Sequence, residues 1–366
     1  MIDPEDGPLK KLLKMTRPMW DHPGTRPAVR ENFAQVVDCR TDTLGAEVYA
    51  SANGETRFPH TCKSRSCPSC GYRATLLWQR EQWAMLPEVE YAGINFTMPD
   101  LLWPIFQQNR HLLHDLPVIG AEVINQWAKA KYGVKVLVMV VQHTFGSDLK
   151  FNPHLHILVS ACGLRDSSAS WERGIVFDKQ SLMSMWRYAV ITLLRRALKA
   201  NLLTSNLTEP QLKRLFTTQY ERHWIIYRDS SMSKRRFLGY AARYVRRPPI
   251  AQRRFIRVDN DGVEFIAKQR KKPTIIHYPA RQFVERLAEH VPDRYRHNIR
   301  YFGLLAPRAK HRSLAAVFAL LRQEVRPRPR RVGWRQSLIK YFKRDPLLDH
   351  AGHRMTWVRR EKSASS

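Results

Sequence analysis

Two β-rich stretches, separated by a short run of loop formers, constrain this chain more than any other feature. Residues 134–145 (VKVLVMVVQHTF) and 154–160 (HLHILVS) flank 146–153, which holds Gly, Ser, Asp, Asn and Pro. Those residue types take turn conformations at low cost. The spacing therefore predicts a two-stranded antiparallel ribbon. Alternate side chains of a strand share a face. In Asn152-Pro-His154-Leu-His156-Ile-Leu-Val159, His154 and His156 thus point together while Leu155, Ile157 and Val159 point into a core. Two imidazoles ~7 Å apart along a strand can chelate one cation. The plainer alternative is a pair of half-exposed polar residues on an amphipathic strand. The ribbon would also bring Gln142 or His143 beside the pair as a third ligand, and His143 is the better donor.

The rest of the pattern fills in around this ribbon. Residues 88–97 read as a strand, 101–132 as two helical stretches broken near Pro117, and 180–202 as a helix. A short strand is predicted at 224–227, and a helix at 234–247 that stops at Pro248-Pro249, where proline cannot continue it. Residues 255–258 and 263–267 flank Asp259-Asn-Asp-Gly262, a hairpin signal, and 282–290 are again helical. This order predicts an α+β fold with a mostly antiparallel sheet flanked by helices. Residues 1–30 are polar and proline-containing and read as a loose, flexible arm. With 43% hydrophobic residues the chain can build a core, which excludes wholesale disorder. No apolar stretch approaches the ~20 residues of a membrane helix. The start lacks the basic and apolar regions of a secretory signal, so a cytoplasmic protein is expected.

Four of the five cysteines fall between 39 and 70: Cys39, then Cys62-x4-Cys67-x2-Cys70 after a gap of 22 residues. An odd count without a signal argues against a disulfide framework. Zinc takes four such ligands in a tetrahedron. Cys67-Pro-Ser-Cys70-Gly has the form of a zinc knuckle, Cys62 and Cys39 complete the set, and His60 is a spare nitrogen ligand. Four buried cysteines without metal are the bland alternative, but Lys63 and Arg65 make a poor apolar core. A closed four-cysteine site is structural rather than catalytic.

The formal net charge is +30. Such an excess suits a polyanionic partner, most often nucleic acid, and not a small neutral substrate. Residues 231–273 carry net +10 and 307–366 net +12, with Phe255, Trp334, Tyr341, Phe342 and Trp357 interleaved. Lys and Arg neutralise phosphates, and aromatic faces can stack on bases. Within the first run lies Leu238-Gly-Tyr240-Ala-Ala-Arg243-Tyr244-Val-Arg246-Arg247. Four residues apart, Tyr240 and Tyr244 project from one helix face. An aromatic pair packed on the sheet is the usual fate of this spacing. Here three arginines surround it, and a phenol beside phosphate-binding cations and a metal can attack phosphorus.

The cysteine cluster, the His-x-His strand and the Tyr-x3-Tyr helix, in this order, resemble the rolling-circle HUH transposases of bacterial insertion sequences. The likeness is to their two-tyrosine group with an N-terminal zinc-binding domain. It also rests on His223-Trp224 and Ile299-Arg-Tyr-Phe-Gly303, and so spans about 39–303. The resemblance implies an HUH-type sheet and a DNA strand transferase acting on single-stranded or hairpin DNA at transposon ends and on target DNA. His154, His156 and His143 would hold catalytic Mg²⁺ or Mn²⁺, and Tyr240 and Tyr244 would form 5′-phosphotyrosine links. Cys39, Cys62, Cys67 and Cys70 would hold one structural Zn²⁺. Arg243, Arg246, Arg247, Arg253 and Arg254 are the DNA-binding candidates, with Arg243 and Arg246 favouring phenolate.

No Gly-x4-Gly-Lys-Ser/Thr loop occurs, so no nucleotide cofactor is expected and a host helicase or DNA topology would unwind the duplex. Two features depart from the group. Some relatives have an extra Cys-x2-Cys where 47–58 has none, and many have a cysteine pair after Asp-Pro-Leu where 345–355 has none. The expected organisation is an arm at 1–30, a zinc domain at 31–82, an HUH nuclease domain at 85–305 and a basic DNA-binding region at 306–366. The expected location is the bacterial cytoplasm, in association with the nucleoid. A plasmid or phage replication initiator would share the active site. A non-enzymatic zinc-dependent DNA-binding regulator would explain the charge and cysteines but not the histidines and tyrosines.

Overall fold

The computed structural model describes residues 7–165, 170–245, 248–269, 272–330 and 332–363. In chain order the elements begin with α1 (Pro8–Met15), α2 (Arg17–Trp20), α3 (Pro27–Asp38), β1 (Ala46–Ser51), β2 (Gly54–Pro59) and α4 (Pro68–Met85). There follow β3 (Glu90–Phe96), α5 (Trp103–Gln108), α6 (Leu116–Tyr132), β4 (Val134–Phe145), β5 (Phe151–Arg165), β6 (Ser170–Arg173), α7 (Lys179–Lys199) and α8 (Glu209–Thr218). Next come β7 (Ile226–Arg228), β8 (Met232–Ser233), α9 (Lys234–Val245), β9 (Phe255–Val258), β10 (Val263–Gln269), β11 (Lys272–Tyr278) and α10 (Ala280–Glu289). The chain closes with β12 (Ile299–Gly303), α11 (Lys310–Leu320), α12 (Trp334–Phe342) and β13 (Thr356–Glu361). This is the α+β mixture of helices and antiparallel sheet that the pattern predicts.

Two compact units emerge, and neither is one continuous segment. One comprises 82–245 and 292–327; the other comprises 1–81, 246–291 and 328–366. These units interleave along the chain, whereas the expected arm, zinc domain, nuclease domain and basic region follow one another in series. The 255–267 hairpin and the end of the chain both fold with the cysteine-bearing segment.

The first unit is built on a sheet of order β12-β4-β5-β3-β7, with β6 beside β5 and β8 beside β3. All its pairings are antiparallel, and His143 lies opposite His154 while His156 lies between Val141 and Asn95. Period-two alternation gives this sheet two distinct faces. Ala92, Ile94, Phe96, Val136, Val138, Val140, Leu155, Ile157 and Val159 form one face, which is buried under α6 and α7. Each such Ile, Leu or Phe contributes about 1.5–3 kcal/mol by leaving water. The opposite face carries Tyr91, Gly93, Asn95, His143, His154 and His156, and α9 packs over β3 there. Pro117 falls in the first turn of α6, where the missing N–H is harmless, and Gly133 ends the helix in the left-handed conformation at φ 67°.

The second unit contains two three-stranded antiparallel sheets, of order β13-β1-β2 and β11-β10-β9. Residues 8–38, expected mostly as a loose arm, are largely helical. Leu9, Leu12, Leu13, Trp20, Val29 and Phe33 are buried, with Trp20 edge-on to Phe33 at 5.6 Å. Pro8, Pro18 and Pro27 stand in the first turns of α1, α2 and α3, where their fixed φ starts a helix. The tail is equally structured. β13 adds to the edge of β1, and Trp334 of α12 packs on Phe58 and Tyr49. Two of its arginines have acidic partners: Arg359 pairs with Glu55 and Glu361, and Arg360 with Glu47. Among the described residues, no helix is long and apolar enough to cross a membrane.

Candidate active site and zinc centre

Cys39 caps the end of α3, Cys62 follows β2, and Cys67 and Cys70 open α4. Their sulfurs stand 3.7 Å (Cys39–Cys70), 3.7 Å (Cys62–Cys70) and 3.8 Å (Cys39–Cys67) apart. Four Zn–S bonds of ~2.3 Å in a tetrahedron give sulfur edges of ~3.8 Å. The backbone N–H of Cys62 points at Cys39 Sγ (3.5 Å) and that of Ser64 at Cys62 Sγ (3.4 Å), the amide support a thiolate needs. Hydrogen bonding led by Cys62 lowers the Cys39 thiol to about 7, and hydrogen bonding led by Cys39 drives Cys70 far down. Hydrogen bonding led by Cys39 drives the Cys62 and Cys67 thiols up, and burial adds to it. A dication held by the four sulfurs would displace those protons and offset half of the charge of four thiolates. His60, the spare ligand, donates instead to the Leu44 carbonyl oxygen (3.0 Å) and faces Glu47. Cys162 is buried in β5 against the Glu90 carbonyl oxygen, and burial pushes its thiol up to about 12.

In the other unit, β4 and β5 bring His143, His154 and His156 together with their ligating nitrogens within 4.8 Å of one another. His154 Nε2 and His156 Nε2 face each other at 3.1 Å. Two nitrogens bound at ~2.1 Å and ~90° to one ion would stand ~3.0 Å apart. Each ring is held from behind: His154 Nδ1 donates to the Asn152 carbonyl oxygen (2.8 Å) and His156 Nδ1 to Asn95 Oδ1 (2.7 Å). These bonds turn the Nε2 lone pairs inward, the usual outer support of a metal-bound imidazole. His143 Nε2 lies 2.8 Å from the Tyr244 carbonyl oxygen, which leaves Nδ1 as its ligating atom in this pose. Gln142 lies on the core side, where its amide donates to the Leu113 carbonyl oxygen (2.6 Å). Of the two residues weighed as third ligand, His143 is therefore the one on the histidine face.

The tyrosine helix runs along β3. Phe237 stacks on Tyr91 (4.3 Å), Tyr240 covers Gly93, and Tyr244 stacks on His156 at 3.9 Å and 25°. Successive helix turns thus meet Tyr91 and Gly93 of β3 and then His156 of β5. Tyr240 and Tyr244 lie 5.0 Å apart, and the Arg243 guanidinium stands 4.7 Å from the first ring and 5.7 Å from the second. Tyr240 is buried, and that burial, then Tyr244 and a hydrogen bond to Asp229, holds its phenol well above the usual value. The expected activation of this phenol by Arg243 is therefore overridden by desolvation. The helix start is anchored by Lys234, fully buried, which donates to the Leu86 carbonyl oxygen (2.7 Å), pairs with Glu88 (2.9 Å) and lies over Trp83.

Among the other DNA-binding candidates, Arg253 is exposed. Arg254 donates to the Ile266 carbonyl oxygen (2.6 Å) and lies over Phe265, which ties it to the β9–β11 sheet. Arg246 and Arg247 lie outside the described residues. The sequence reading missed Gly93, Asn95, Asp229 and Lys234. A signal existed for Asn95, a polar residue within the run 91–96 and in phase with Gly93. None existed for Lys234, one cation in a basic run.

Residues 138–313 match the family described as "Putative transposase" (Y2_Tnp), and residues 12–98 match an IS91-type transposase zinc-binding domain. The fold and both centres thus lie in a transposase, a DNA-processing enzyme with a zinc-binding domain. The chain is 30% identical over 334 residues to the transposase for insertion sequence element IS801 of Pseudomonas savastanoi pv. phaseolicola, covering 86% of this chain and 80% of that one. It is 26% identical over 322 residues to "Putative transposase y4qJ" of Sinorhizobium fredii, covering 83% and 81%. It belongs to the family of insertion-sequence transposases that includes the IS801 enzyme. No solved structure matches it.

Proposed function

We propose that the chain nicks and rejoins single-stranded DNA at the ends of an insertion sequence, through 5′-phosphotyrosine intermediates, in rolling-circle transposition. The observation that carries this reading is the Tyr244 ring stacked 3.9 Å from His156, with Tyr240 one turn away on the same helix face. His143, His154 and His156 would hold Mg²⁺ or Mn²⁺, and the bound ion supplies Lewis-acid stabilisation of charge on the scissile phosphate. The tyrosine Oη attacks phosphorus; the Oη–P bond forms as the P–O3′ bond breaks, and the departing oxygen takes up a proton to become a 3′-OH. Attack of a 3′-OH on the phosphotyrosine reverses these bonds and rejoins a strand. Two tyrosines on one rigid helix allow two such transfers in one complex. Tyr240 holds its proton at rest, and Asp229 is its carboxylate partner. Exposed Arg243 and Arg253 and the basic 307–366 segment are suited to DNA phosphates. Unwinding falls to a host helicase or to DNA topology, and the net charge of +30 favours residence on the nucleoid. Membership of an insertion-sequence family favours this reading over a plasmid replication initiator.

The test is trapping of a protein–DNA adduct on a denaturing gel, with an element-end oligonucleotide and Mn²⁺. Wild type forms the adduct and the Tyr240→Phe/Tyr244→Phe double variant forms none; equal trapping would remove the tyrosines from the chemistry. A second variant separates them. A Cβ at Gly93 would lie 2.6 Å from Tyr240 Cε1 and 2.9 Å from Oη. Gly93→Ala should therefore displace Tyr240 alone, so that peptide mapping of the adduct finds Tyr244 and little or no Tyr240.

A further inference from the structure

Strand β7 ends the sheet beside the histidines, and its burial pattern is unusual. Ile226 in the strand and Trp224 just before it are buried, but Ile225 and Tyr227, which flank Ile226, are also large and apolar. Ile225 is 47% exposed and Tyr227 is 58% exposed. Core packing accounts for the first pair and not for the second. Tyr227 stands opposite Asn95 in the ladder, and Asn95 stands opposite His156 and holds its ring. Directly paired residues share a face, so Tyr227 is on the histidine face two strand spacings from His156, about 10 Å. Ile225, just before the strand, is exposed, and its carbonyl oxygen accepts from Thr97 Oγ1. Arg222 and Arg228 flank the segment, with Glu221 and Asp229 next to them.

We infer that the outward edge of β7 is a base-binding platform. An unpaired base next to the scissile phosphate stacks on Tyr227 and rests against Ile225, while the phosphate lies at the histidines. This rests on the DNA-nicking reading and adds to it a place for one particular nucleotide. The chemistry suits it: an aromatic face accepts any base by stacking, tolerates sequence, and requires the base to be out of the duplex. Because β7 is hydrogen-bonded to β3, the platform is rigid with respect to Asn95 and the metal ligands, so one position along the strand should be singled out.

The experiment measures binding of fluorescein-labelled element-end oligonucleotides by anisotropy, in the Tyr240→Phe/Tyr244→Phe background so that cleavage does not intrude. Each nucleotide flanking the scissile phosphate is replaced in turn by an abasic site. Tyr227→Ala should weaken binding of intact DNA about tenfold. It should weaken no further on DNA abasic at one position, where the Tyr227 protein has already lost the same amount, and Tyr227→Phe should bind as the Tyr227 protein does. Additive losses at every abasic position, or unchanged binding by Tyr227→Ala, would overturn the platform. So would a change in sedimentation with no base-dependent loss, since that would make the β7 edge a protein contact. Adduct formation by the otherwise unmodified chain is scored separately. If it succeeds while Tyr227→Ala is silent, only the platform fails; if it fails while the abasic effect persists, the nicking chemistry fails and the base contact stands.

Discussion

His156→Ala should reduce adduct formation at least about 10³-fold while leaving single-stranded DNA affinity within about twofold. A Lewis acid contributes several kcal/mol to a transition state that gathers charge on phosphate oxygens, and each 1.36 kcal/mol is a factor of ten in rate. The substitution removes Nε2 from a pair set 3.1 Å apart and removes the ring on which Tyr244 stacks. Asn95→Ala should be milder, about 10–100-fold, because it removes only the hydrogen bond that turns the ring. The two should also differ in metal response. Raising Mn²⁺ should recover much of the Asn95→Ala loss, since the ligand is still present, and little of the His156→Ala loss. Single-turnover adduct rates across a Mn²⁺ titration make the comparison. A His156→Ala protein that nicks at the wild-type rate would mean the histidines do not hold the working ion.

Removal of zinc should unfold much of the cysteine-bearing segment. Structural zinc sites bind with about 10–16 kcal/mol of apparent free energy, and a whole domain is stable by only about 5–15 kcal/mol. Without metal, hydrogen bonding led by Cys39 holds the Cys62 and Cys67 thiols protonated, and the tie that the ion would make between the end of α3, the end of β2 and the start of α4 is lost. Strong chelation, or Cys70→Ser, should erase hydrogen-exchange protection between residues 39 and 71. Amides of β3, β4 and β5 should stay protected, because their core is apolar and contains none of the four cysteines. Metal analysis should return one zinc per chain, and Cys162→Ala should leave that ratio unchanged. Full protection of residues 39–71 in metal-free protein would show that the cluster holds itself together.

The candidate catalytic groups were legible in the sequence because their signals are local. Period-two alternation put His154 and His156 on one face, helical spacing aligned Tyr240 with Tyr244, and the Cys67/Cys70 knuckle announced a metal. What the local pattern could not carry is the identity of the partners. Asn95 orients His156 from 61 residues away, and β13 closes the edge of β1 from the far end of the chain. Residues 1–30 read as a loose arm, yet Pro8, Pro18 and Pro27 each lie in the first turn of a helix with buried apolar residues. The exposed Tyr227 looked like one more strand residue until the register set it beside the site. Turn chemistry and periodicity act through neighbours in sequence, so the residues themselves determine them. Strand order, register and burial are decided by packing between distant segments. Only the folded chain shows which phenol meets which imidazole, and how far burial outweighs a nearby arginine at Tyr240.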